Sequence, residues 1–299
     1  VRALLADRAT TEVVVAIDGS GDGSYELAAR LARTDSRVVA FEQDHTGREA
    51  ARSSGVRRAN GEIVLLVDDD VVAGKDLVTG HARHHRQAEE VVVLGYMPVV
   101  TAEEDSATRV FARIYEHEYE SHCREIEADP TLVLLRLWGG NVSMRRANWL
   151  SLDTEPWGDN HEDQFFGIRC YRAGLHGIFD RTLYAEHRYS RGPETFLQSA
   201  RGRGLAKWRL HSMFPELLGP LDPDWASAGL PAIADRLVRW GATPGRSRYL
   251  TKPLVMTARS AHRVRLESAE SVAYRLARRV ELQTGSRCAV ASRSFERAS

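Results

Sequence analysis

The chain has 299 residues, 43% hydrophobic and 27% charged, a balance that excludes global disorder and fibrous classes and suffices for one large domain or two smaller ones. Its 41 Lys+Arg cancel its 41 Asp+Glu, but unevenly. From Arg201 onward 18 basic residues stand against 8 acidic, whereas the first 200 residues hold 23 against 33.

Val1 to Arg8 reads as the end of an apolar-stepped helix. The β-branched run Glu12 to Ile17 then has the pattern of a parallel strand covered on both faces. A loop, Asp18-Gly-Ser-Gly-Asp-Gly-Ser24, follows, with Ser24 as the expected cap of a helix to Thr34. A short strand from Arg37 to Glu42, a helix from Arg48 to Ala59 and a second strong strand from Glu62 to Val67 continue the alternation, which predicts an α/β sheet of parallel strands. Val91–Val100 is read as another strand and Ala107–Ile126 as a helix. After the apolar run Leu132–Leu137 the chain reads as irregular. From about Pro244 it is Arg-rich helix, clearest over Ser260–Thr284.

The run Val91–Val100 is far shorter than the roughly 18–20 residues that cross a bilayer. The opening residues lack a secretory-leader pattern. Three cysteines, Cys123, Cys170 and Cys288, have no metal-ligand spacing and give no disulfide framework, so a reducing cytoplasm is expected.

Ligands of open α/β sheets bind beyond the carboxyl ends of the strands. Two strong strands end there in acids, Asp18 and Asp68-Asp69-Asp70. Three adjacent carboxylates repel one another unless a cation or donors compensate, and a hard divalent ion that also holds a phosphate is the natural partner. An acidic turn is the plainer alternative.

These segments, with Gly47–Arg52 and Ala59-Asn-Gly-Glu62, resemble glycosyltransferase family 2 and its GT-A fold. Downstream, Trp138-Gly-Gly-Asn-Val-Ser-Met-Arg145 and His161-Glu-Asp-Gln-Phe-Phe-Gly-Ile-Arg169 resemble the family's glycine–asparagine segment and acceptor helix. The resemblance spans residues 1–210 and implies a mostly parallel GT-A sheet flanked by helices, with a catalytic domain over 1–215 and a helical extension over 216–299. It implies an inverting transfer from a UDP-, dTDP- or GDP-sugar to an acceptor hydroxyl. Asp163 is then the general base and Glu162 its neighbour orienting the acceptor. Asp18, Arg52, Asp68, Asp69, Gly140 and Asn141 would bind the nucleotide sugar, and Asp70 with His187 would hold Mn²⁺ or Mg²⁺. Gln198-Ser-Ala-Arg-Gly-Arg-Gly204 is a loose version of a diphosphate-binding segment, offering Arg201 or Arg203, whose planar forks suit phosphate. No nucleic-acid partner is expected.

The family's opening strand and turn have no counterpart in these residues, so an incomplete N-terminus and an unpaired sheet edge are expected. A sugar nucleotidyltransferase would share the α/β sheet, metal and nucleotide, but its glycine-rich basic loop is not found. A degenerate nucleotide-sugar-binding scaffold would not need Asp70 and Asp163 together. His81, His84 and His85 share a helical face and are read as exposed surface. Trp138, Trp149 and Trp157 are read equally as a sugar-stacking wall or as core. For the cationic C-terminal part, whose charges are read as dispersed, intramolecular docking or a homodimer through its helices ranks ahead of a peripheral membrane contact.

Overall fold

The computed structural model describes residues 1–101, 106–152, 157–158, 160–190, 192–222, 224–243 and 245–296. Pro244, where the helical tail was expected to begin, lies outside them. The chain forms two compact units, one of residues 1–100 and 119–188, the other of 101–118 and 189–299.

The first unit opens with α1 (Arg2–Leu5), β1 (Val13–Asp18), α2 (Ser24–Thr34), β2 (Val38–Gln43), α3 (Arg48–Arg58) and β3 (Ile63–Val67). These match the expected elements to within a few residues. β4 (Val71–Ala73), α4 (Leu77–Gln87), β5 (Val91–Tyr96) and β6 (Val99–Val100) follow, so the strand expected over Val91–Val100 is split. Helix α5 (Ser106–Ala128) passes from the second unit into the first. The stretch read as irregular carries β7 (Asn141–Arg145), α6 (Arg146–Ser151), α7 (Glu162–Arg172) and the long β8 (His176–Arg188).

The fold class is the expected one, an α/β sheet flanked by helices, but its pairing is mixed rather than mostly parallel. β1 and β2 pair in parallel as a two-stranded sheet, and the larger sheet runs β3-β7-β5-β8-β4, with β6 on β8. β7 enters antiparallel to both β3 and β5, and β4 is antiparallel to β8, while β5 and β6 run parallel to β8. Among the described residues no ladder joins β1 to β3. The Glu12 carboxylate instead accepts from the Asn60 backbone and side chain at 2.8 and 3.0 Å, tying the starts of the two strands.

β5 shows why this sheet is internal. Val92 and Leu94 join a core with Val64, Val142, Met144 and Phe166, whereas Val91 and Val93 join another with Val71, Leu77, Leu183 and Ala185. Alternate side chains leave opposite faces of a strand, so a continuous apolar run needs cover on both. Trp138, Trp149 and Trp157 pack against rings of this unit: Trp138 edge-on to Tyr119, Trp149 on Phe166 and Trp157 stacked on Phe165. All three make core contacts, and Trp149 also lines a recess beside Asp163.

His81 and His85 correct another expectation, being only 1% exposed. Helix α4 turns them onto β7, where His81 shares hydrogen bonds with Ser143 Oγ (2.8 Å) and Asn141 Oδ1 (2.9 Å), and His85 with Ser143 Oγ (2.7 Å). Periodicity gave them one face but could not say that this face meets polar strand residues. His84, on the flank, pairs with Asp180.

The second unit holds the start of α5 with α8 (Pro193–Met213), α9 (Pro215–Leu218), α10 (Ala232–Gly241), α11 (Ser247–Arg263) and α12 (Glu267–Glu296). Residues 189–215, grouped by sequence with the first domain, thus belong to this helical unit. Gly204 and Gly285 let α8 and α12 touch backbone to backbone, since a Cβ on either would overlap the other helix. No helix among the described residues is long and apolar enough to cross a membrane.

Burial lowers the pKa of both His81 and His85 from 6.5 to about 4. The unfolded chain therefore binds protons between these values that the folded chain refuses, and stability falls as pH drops from 6.5 towards 4. The urea midpoint is expected to fall across that range, more shallowly in His85→Gln; a midpoint flat to pH 4.5 would contradict this.

Candidate active site

Strand register assembles the site. Asn141 lies opposite Val67, which sets Gly139 and Gly140 beside the acidic end of β3, and the Asp68 N–H donates to Gly140 O at 3.4 Å. Gly140 has φ +102°, and a Cβ there would crowd Asp68 and Met97. Asn141 is fully buried, its amide donating to Leu183 O at 2.9 Å while its oxygen meets His81. It therefore supports the loop from behind.

The same logic places His187. β4 and β8 pair Val71 with His187, and the Arg188 N–H donates to Asp70 O at 2.8 Å. His187 Nε2 comes within 3.3 Å of Asp70 Oδ2. Among the described residues no group of three or more His, Cys, Asp or Glu forms a metal cage. One carboxylate and one imidazole do fit an ion that takes its other ligands from water and a substrate phosphate. They do not fit a closed structural zinc site.

Helix α7 begins with Glu162 and Asp163, just after two left-handed non-glycine residues, Asn160 (φ 68°) and His161 (φ 56°). Such conformations cost about 1–3 kcal/mol each and persist where the surroundings enforce them; here the Trp157 indole N–H holds Asn160 O at 2.8 Å. The turn aims the Asp163 carboxylate at Gly139, where any Cβ would collide with it.

Facing α7 is α3, whose residues Arg48, Glu49 and Arg52 share one side. Arg48 pairs with Glu162, and Glu49 with Arg169 at 2.8 Å. Arg52 donates Nη1 to Asp163 at 2.5 Å and Nη2 to Asp68 at 2.7 Å. Burial alone would raise the Asp163 carboxyl, but the Arg52 charge and hydrogen bond hold it below the usual range. Glu162 moves the other way, raised by burial and by the Asp163 charge. Two adjacent carboxyls are thus driven apart.

The predicted residues divide into groups. Arg52, Asp68, Gly140, Glu162 and Asp163 come together around one recess, lined also by Glu49, Leu137 and Trp149. Asp70 and His187 form a second pair; Asp69, between Asp68 and Asp70, is exposed. Asp18 lines up with neither group: it accepts from Gln43, Thr46 N–H and Gly47 N–H at 2.8–2.9 Å, and these bonds outweigh burial and lower it to about 2. It thereby shapes an open cleft at the ends of β1 and β2, lined by Gly19, Ser20, Gly21, Glu42, Gln43 and Asp44. Arg201 and Arg203 lie in the second unit, where Arg201 pairs with Glu281 and Ser247 Oγ, and Arg203 stacks 5.8 Å from the Tyr115 ring centre. Arg48, Glu49 and Arg169 stand in the motif segments quoted from the sequence but were given no role there; the four-residue step from Arg48 to Arg52 and the seven-residue step from Glu162 to Arg169 were the available signals.

Comparison with known proteins matches residues 1–147 to Glycosyl transferase family 2. Among curated relatives, the putative glycosyltransferase EpsH of Bacillus subtilis is 24% identical over 54% of this chain and 47% of its own length. An N-acetylglucosaminyltransferase of Azorhizobium caulinodans is 31% identical over 40% of this chain and 29% of its own. The chain thus spans less than half the length of these relatives. A crystal structure of S. aureus TarS 1-349 in complex with UDP-GlcNAc superposes with a TM-score of 0.45 and 16% identity, covering 92% of this chain and 83% of that one.

Removing Arg52 strands two carboxylates, one of them mostly buried. Arg52→Met is expected to lose about 3 kcal/mol of stability, the scale of a broken buried pair, measured by urea unfolding at pH 7. Asp163→Asn placed on Arg52→Met should recover part of that loss, and a strictly additive double variant would show that the two side chains are not coupled.

Proposed function

We propose that this chain is an inverting glycosyltransferase that moves a sugar from a nucleoside diphosphate to an acceptor hydroxyl, with Asp163 as general base. The observation that carries the reading is the bridge of Arg52 between Asp163 and Asp68, which joins the candidate base to the acidic strand end.

The arrangement supports the chemistry in steps. A general base must reach the attacking hydroxyl and must be ionised. Arg52 keeps Asp163 ionised at neutral pH, so it is ready to accept the proton as the acceptor oxygen attacks. Attack on the face opposite the leaving diphosphate inverts the anomeric carbon. Glu162, held by Arg48, lies beside the base to orient the acceptor. The open cleft beside Asp18, lined by Gly19 to Gly21, suits the nucleoside. Asp70 and His187 would hold Mn²⁺ or Mg²⁺, which when bound offsets charge on the departing diphosphate. The donor nucleotide is one of uridine, deoxythymidine or guanosine diphosphate.

The test is Mn²⁺-dependent turnover of UDP-, dTDP- and GDP-sugars. Asp163→Asn is expected to slow turnover by about 10²–10⁴-fold with little change in KM. Equal turnover by Asp163→Asn and the parent would remove the base assignment. Asp70→Asn is expected to raise the Mn²⁺ concentration needed for half-maximal rate; an unchanged requirement would move the metal elsewhere. In Arg52→Lys the acidic limb of the pH–rate profile should move up, because the looser cation depresses Asp163 less.

A further inference from the structure

Residues 236–266 contain eight Arg or Lys and no Asp or Glu. Every one of these cations, Arg236, Arg239, Arg246, Arg248, Lys252, Arg259, Arg263 and Arg265, is exposed. Large apolar side chains are exposed among them. On α10, Ile233 (77%), Leu237 and Trp240 recur at steps of four and three, the spacing of one helical face. On α11, Tyr249 and Met256 (68%) stand two turns apart, and Val264 and Leu266 end the same segment. The opposite face of α11, through Thr251, Ala258 and Ala261, is buried, and α10 buries Val238 and Gly241. The turn between the helices sets the Arg246 guanidinium 5.7 Å from the Trp240 ring centre, joining the two outward faces.

Scattered exposed apolar residues are ordinary on a protein surface, but this set is close in sequence, aligned on helix faces and set among cations, with Asp235 and Glu267 at its two ends. An acidic protein partner would complement the charges but would not account for two aromatic residues with a polar edge beside long aliphatic cations. Trp and Tyr of that kind, with Arg and Lys on the same helix, match the headgroup layer of a bilayer with anionic lipid. We infer that the outward faces of α10 and α11 form a peripheral docking surface for an anionic membrane, with Ile233, Leu237, Trp240, Tyr249 and Met256 entering the headgroup boundary and the surrounding cations meeting lipid phosphates. The inference rests on the helical unit alone and stands whether or not Asp163 is the catalytic base.

Flotation of the full 299-residue chain with vesicles provides the test. With 30% phosphatidylglycerol in phosphatidylcholine at low salt the chain is expected to float, and with pure phosphatidylcholine to stay at the bottom. Replacing Arg248, Lys252, Arg259 and Arg263 by Gln should cut partitioning by more than 100-fold, at about fivefold per cation near an anionic surface. Ile233→Ser with Met256→Ser, which keeps every charge, should also weaken it at least tenfold. Brominated lipid should quench emission from the parent more than from Trp240→Phe. These substitutions lie on exposed positions, and circular dichroism checks that each variant stays helical. No flotation with anionic vesicles would overturn the inference. So would flotation indifferent to the serine pair, which would reduce the surface to a polyanion site. A stable dimer in sedimentation equilibrium that Ile233→Asp dissociates would assign the face to a second copy and overturn it equally.

Discussion

The guanidinium of Arg52 sits between Asp68 and Asp163, and the local order of the candidate active site depends on it. Asp68 ends a strand, Asp163 starts a helix, and 95 residues of chain separate them. Two carboxylates brought to one recess would repel, and burial would push Asp163 towards protonation. A planar cation with two donor edges satisfies both at once, one on each terminal nitrogen. A lysine could neutralise the charge but could not span both acids with fixed geometry. The glycines complete the constraint: Gly139 leaves space for the Asp163 carboxylate, and Gly140 takes a left-handed turn against Asp68. Gly139 makes room for a charged group, whereas Gly140 is required by its backbone and by Met97 as well as Asp68.

The remaining pairs between α3 and α7 extend this logic. Arg48–Glu162 and Glu49–Arg169 flank the central bridge, so the helices meet through alternating charge rather than apolar packing. An interface of that kind contributes little net stability, because desolvation offsets most of the attraction. Its value lies in direction: it shifts the two neighbouring carboxyls to opposite sides of their usual range. Asp163 takes two donors, Arg52 and the Gly139 N–H, and is held low; at Glu162 desolvation and the Asp163 charge outweigh the pull of Arg48, and it is pushed high. Neighbouring acids of opposite tendency are what a site needs if one must accept a proton while the other orients.

Much of the first unit was legible in the sequence because its early strands are strong local signals. β1 and β3 are β-branched runs ended by acids, and their boundaries fall within a residue or two of expectation. β7 and β8 were not legible, since Asn141–Arg145 contains two polar residues and a charge, and His176–Arg188 is broken by Asp180 and Arg181. Those polar residues have partners that only the fold supplies. Ser143 and Asn141 are matched by His81 and His85, and Arg181 by Glu120 and Glu127. A sequence shows that a residue is polar, not that its complement waits about 60 positions away. The site followed the same rule. Asp163 and Asp70 were visible as motif residues, while the Arg52 bridge required three distant segments to be in place.

The neutral total charge conceals two uses of arginine in the helical unit. Some cations are structural: Arg278 is buried, pairs with Glu118 and lies 5.0 Å from the Phe196 ring centre, and Arg201 is committed to Glu281 and Ser247. These pairs engage Glu118 and Glu281 inside the unit. What remains after that pairing is concentrated in residues 236–266, on the outward faces of two helices whose inner faces are already packed. Among the described residues, Arg239 of that group pairs with neighbouring acids, Asp224 and Asp235, which lie before the acid-free stretch. No carboxylate side chain lies within residues 236–266, so pairing there draws only on acids of neighbouring segments. The surplus is a property of the surface, and its physical meaning lies in what that surface meets.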